Sequence, residues 1–91
     1  MAEKREIRLK ITDDILMGRY ANLMRVSHRS GEFVLEFANV MYPAGSVVAR
    51  VFMNPGHVRG VIKTLETNVK KYEAKFGPIT EVQEVKKEIG F

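Results

Sequence analysis

The chain has 91 residues, 45% of them hydrophobic and 29% charged, with a formal net charge of +4 and no cysteine. That is the balance of one small globular domain rather than a disordered segment, and it rules out disulfides and thiolate metal sites. No apolar run approaches the roughly 20 residues a membrane-spanning helix needs. The opening Met1–Glu6 has no apolar stretch behind it, so no signal peptide is expected, and the lack of cysteine makes a cytoplasmic location the default reading.

Residues 6–12 read Glu-Ile-Arg-Leu-Lys-Ile-Thr, an alternation that predicts a first, half-buried strand with Ile7, Leu9 and Ile11 on one side. Asp13-Asp14 then opens a turn or short helical turn through Gly18. Two further strands are predicted over Arg19–Arg29 and Glu32–Tyr42, joined across Ser30-Gly31. A two-residue loop there pairs Arg29 with Glu32 and Arg25 with Glu36, two opposite-charge pairs. It also sets Val26 opposite Leu35, Met24 opposite Phe37 and Tyr20 opposite Met41. A shift by one residue would move every side chain to the wrong face.

Pro43-Ala44-Gly45-Ser46 predicts the next turn and Val47–Met53 a fourth strand. One sheet face is expected to carry Tyr20, Met24, Val26, Phe33, Leu35, Phe37 and Phe52. The other carries Ala21, Leu23, Val34, Ala38, Val40, Ala49 and Val51, so both faces are apolar. One helix follows. Asn54 suits an N-cap, Pro55 the first helical position and Gly77-Pro78 a stop. Between them Val58, Ile62, Leu65, Val69, Tyr72 and Phe76 recur at spacings of 4-3-4-3-4, one apolar stripe widened by Val61. A coiled-coil seam has the same spacing, but three heptads favour packing on the sheet. Residues 79–91 form a charged C-terminal extension readable as tail, short helix or edge strand.

The expected architecture is therefore α+β: residues 1–78 as a single domain, a four-stranded antiparallel β-meander followed by one long amphipathic α-helix packed on one sheet face. One helix covers one face, which leaves the other in want of a partner.

No chemistry-bearing constellation competes with that reading. His28 and His57 lack the neighbours a metal site needs, so no metal and no cofactor are expected. There is no Ser/His/Asp or Cys/His arrangement and no phosphate loop, and the chain is not expected to be an enzyme. Arg59, Lys63 and Lys70 share a helix flank with Glu66 and Glu73, which weakens the field phosphate binding requires, so nucleic acid is not the expected partner. The expected role is a homo-oligomeric association module, dimer or higher, using Leu23, Val34, Ala38, Val40, Ala49 and Val51. The same surface could instead hold unfolded or peptide clients, or the basic residues a weakly held, salt-sensitive nucleic acid. Gly60, Thr64 and Thr67 form a row of small residues opposite the apolar stripe, a candidate helix contact.

Several runs carry a resemblance: Ile7–Asp14, Gly18–Leu23, Ser27-His28, Glu32–Phe37, Asn54-Pro55 with His57, and Asn68 with Lys70–Glu73 and Phe76-Gly77. Together they resemble the domain-of-unknown-function family thirty-four sixty-seven of bacteria and archaea over nearly all of residues 6–79. That resemblance implies no activity, substrate or catalytic residue. In layout alone, a four-stranded meander followed by a long helix is similar to SecB-like export chaperones, although those are typically acidic and this chain is basic.

Overall fold

The structure, a computed structural model, describes residues 5–82. Its order is α1 (Asp13–Met17), β1 (Leu23–Arg29), β2 (Glu32–Met41), β3 (Ala44–Met53) and α2 (Pro55–Phe76). The α+β class and the long C-terminal helix match the expectation. Among the described residues, however, the sheet has three antiparallel strands in the order β1-β2-β3, not four. The predicted first strand is the one missing. Residues 6–12 join no sheet, and Leu9 is 90% exposed. Alternation makes a segment competent to pair, but a strand also needs an edge to pair with. In this single chain the segment has taken none.

The β1–β2 hairpin has the register that charge and packing dictate. Arg29 faces Glu32, Val26 faces Leu35, Arg25 faces Glu36 and Met24 faces Phe37. Gly31, at φ 84°, supplies the left-handed residue of the two-residue turn. The strand begins at Leu23, however, rather than Arg19, so Tyr20 lies ahead of it and has no place opposite Met41. Asn22 marks the boundary. Its side-chain Nδ2 donates to the Val40 carbonyl and its Oδ1 accepts from the Val40 N–H, each at 2.9 Å. One amide side chain thus takes both backbone groups that a further strand residue would have paired.

The second hairpin turns at Tyr42-Pro43, through a cis peptide bond, and β3 starts at Ala44, earlier than expected. Phe37 pairs with Ala49 but Ala38 with Val47, so Val48 is the extra residue of a β-bulge. Val34 faces Phe52, Leu35 faces Val51 and Glu36 faces Arg50. This corrects the face assignment of β3. Phe52 shares its face with Val34, while Ala49 and Val51 lie with Phe37 and Leu35. The sequence Val47–Met53 is apolar at both parities, so alternation says nothing there. The register comes from pairing with β2.

Helix α2 starts as its caps dictate. Asn54 Oδ1 accepts the His57 N–H at 2.7 Å, Pro55 follows, and Gly77 closes the last turn by donating to the Glu73 carbonyl. Its packing departs from the expectation. The helix meets the sheet at the central strand β2, and along its apolar stripe only Val58 and Val61 are half-buried. Among the described residues only Leu23, Leu35 and Ala38 are buried. The Cα radius of gyration is 16.3 Å, against about 12 Å for a compact domain of this length.

Candidate interaction surface

The geometry of α2 follows from where its sheet contact stops. Beyond Val61, the stripe runs on as Ile62, Leu65, Val69, Tyr72 and Phe76, all 42–66% exposed. These side chains lie along one face because spacings of three and four residues bring them round to the same azimuth. The Tyr72 and Phe76 rings lie tilted against each other at 5.0 Å between centroids, so the C-terminal end of the stripe is an aromatic pair. Arg59, Glu66 and Glu73 border it on one side, and His57, Asn68 and Lys75 on the other. The Lys75 ammonium sits over the Phe76 ring, 5.3 Å from its centroid.

The sheet offers a second, more polar surface. Glu36 sits between two guanidinium groups, accepting a hydrogen bond from Arg25 Nε and forming an ion pair with Arg50 Nε at 3.1 Å. The hydrogen bond from Arg25, reinforced by the charges of Arg25 and Arg50, holds the Glu36 carboxyl below its ordinary range. Arg29 closes on Glu32 at 3.0 Å, and Arg50 lies over the Phe52 ring. Basic residues on this face are thus met by carboxylates. The Arg50–Glu36 pair could have been read from the sequence by the logic that found Arg25–Glu36, and it would have fixed the register of β3.

The expected surface residues are divided by the structure. Leu23 and Ala38 are buried, Val34 and Val40 half-buried on that same side of the sheet, while Ala49 and Val51 lie on the other. They do not form one surface. Gly60, Thr64 and Thr67 all lie on the exposed side of α2, and a Cβ on Gly60 would meet open space. His28 tilts against the Phe33 ring at 5.5 Å, and His57 serves the helix cap through its backbone. Among the described residues no group of three or more His, Cys, Asp or Glu side chains comes together as a metal site would require, and no helix is long and apolar enough to cross a membrane. From Gln83 onward the C-terminal extension lies outside the described residues, while Ile79 and Val82 are exposed.

Fold and surface together define a small α+β domain: an open three-stranded meander with a projecting amphipathic helix. The chain belongs to the family described as protein of unknown function DUF3467, whose model matches residues 1–81. No curated protein and no solved structure matches it.

Proposed function

We propose that this protein is a non-enzymatic association module that assembles with further copies of itself, the apolar stripe of α2 forming the main contact. One observation carries the reading. Four turns of the helix, Ile62 to Phe76, present their apolar side to solvent in the single chain. A chain with so small a core has little margin against the conformational entropy of folding, on the order of 1–2 kcal/mol per residue for the backbone alone. Burying the stripe between copies supplies the missing term at roughly 25 cal/mol per Å² of apolar surface. The small, paired charge on the sheet and the absence of a catalytic arrangement in the sequence agree with a role in association.

A second reading has some support from Met17 and Met41, exposed and adaptable side chains of the kind that seat varied peptides. In that case the stripe would meet extended clients rather than copies.

The test is the solution mass of the wild type and of Leu65→Glu, by light scattering behind size exclusion. Self-association predicts a wild-type mass of two or more chains and a monomeric or insoluble variant. A monomeric wild type overturns the reading and turns attention to clients.

A further inference from the structure

Resting on the self-association reading, we infer that the occupant of the α2 stripe is the α2 helix of a second copy, lying antiparallel to it. Three independent features lead there.

The first is size matching. The stripe places Ile62, Val69 and Phe76 at one core position of a heptad, and Val58, Leu65 and Tyr72 at the other. An antiparallel pair centred near Thr67 sets Ile62 against the partner's Tyr72 and Leu65 against the partner's Val69, with the partner's Phe76 at the part of Val58 that its own sheet leaves exposed. Each layer then joins a smaller side chain to a larger one. A parallel pair would instead stack Phe76 on Phe76 and leave Val58 on Val58, with uneven layers along the seam.

The second is the room the sheets need. Each α2 meets its own sheet near its N-terminal turns, where Val58 and Val61 are half-buried. A parallel pair brings two sheets to the same end, where they compete for space. The helix has 22 residues, about 33 Å at 1.5 Å per residue, so an antiparallel pair holds the two sheets at opposite ends.

The third is charge. In an antiparallel pair like flanks meet, so Arg59 faces the partner's Glu73 twice over, against one facing of Glu66 with its own copy. In the parallel pair Val61 and Asn68 would meet the partner's Glu66 and Glu73, with no opposite-charge partner. The exposed stripe presents on the order of 500 Å² per protomer, so a two-fold contact reaches ~1,000 Å², the lower bound for a specific interface.

The absence of native cysteine makes the arrangement directly testable. Ile62→Cys and Tyr72→Cys chains are each oxidised alone and as an equimolar mixture, and the products are read on a non-reducing gel. In the antiparallel pair ten residues along the helix, about 15 Å, separate each position from itself, beyond the ~7 Å Cα limit of a disulfide. The expected result is no crosslink in either chain alone and a mixed disulfide dimer in the mixture. Crosslinking of Tyr72→Cys to itself would mean parallel helices and overturn the inference. A wild type with the mass of an oligomer and no crosslink in any arm would overturn the helix pair while leaving self-association standing. As a second readout that leaves the core intact, Arg59→Glu is expected to weaken dimerisation about fivefold, and adding Glu73→Arg to restore it. No change in the single variant, or no restoration in the double, counts against the antiparallel register.

Discussion

Asn22 shows how a single side chain decides where a strand ends. Its amide carries one donor group and one acceptor, and both meet Val40, so β1 starts at the next residue, Leu23, without leaving Val40 of β2 unpaired. Asn22→Ala is expected to cost about 1–2 kcal/mol, read as a lower midpoint in urea with an unchanged slope. Glu36 makes a prediction in pH. Its carboxyl, lowered by the Arg25 hydrogen bond, is more acidic folded than unfolded. Its contribution to stability is therefore present above the ordinary carboxylate value of 4.5 and is lost as pH falls through the lower, folded value. Thermal melts should show the wild type more stable than Glu36→Gln at neutral pH, the difference shrinking below that ordinary value. A difference that grew with acid would refute the assignment.

At the scale of elements, the register of the hairpin β1–β2 was legible, but not the start of its first strand, and the rest was legible only in part. Two charge pairs, Arg29–Glu32 and Arg25–Glu36, and two apolar pairs, Val26–Leu35 and Met24–Phe37, agree on one register, and a shift by one residue breaks them all. For β3 the apolar pattern is silent, and the Glu36–Arg50 pair is the cue that separates its faces. The bulge at Val48 leaves no trace in composition, because one extra apolar residue in an apolar strand changes no pattern. Helix α2 was legible in its bounds, since caps and stop act locally, but not in its partner. Two substitutions contrast the roles of sheet and helix. Leu35→Ala removes a buried side chain and should cost about 2–4 kcal/mol at any protein concentration. Leu65→Ala, at a position 60% exposed in the single chain, should cost little in dilute protein and markedly more once helices pair. Denaturant titrations at two concentrations separate the two behaviours.

For the whole molecule the governing quantity is how little one chain buries. With three buried residues among those described and a radius of gyration well above the compact value, the single chain has little core, and the proposed association would supply much of its stability. The melting temperature is accordingly expected to rise with protein concentration, by several degrees for each tenfold step, because assembly favours the folded state by mass action. A melting temperature independent of concentration over two decades would show that the single chain is sufficient. The sequence by itself determined the α+β class, the register of the first hairpin, the ends of α2 and the phase of its stripe. Each rests on residues close in the chain: a turn, a cap, a repeat of three and four, opposite charges across a two-residue loop. Only the tertiary structure decided that residues 6–12 stand outside the sheet, that Ala49 and Val51 lie apart from Leu23 and Ala38, and that the stripe of α2 runs on past its sheet. Those outcomes depend on which surface finds an edge or a face to cover it, and a pattern of apolar residues records the demand for burial without naming what meets it.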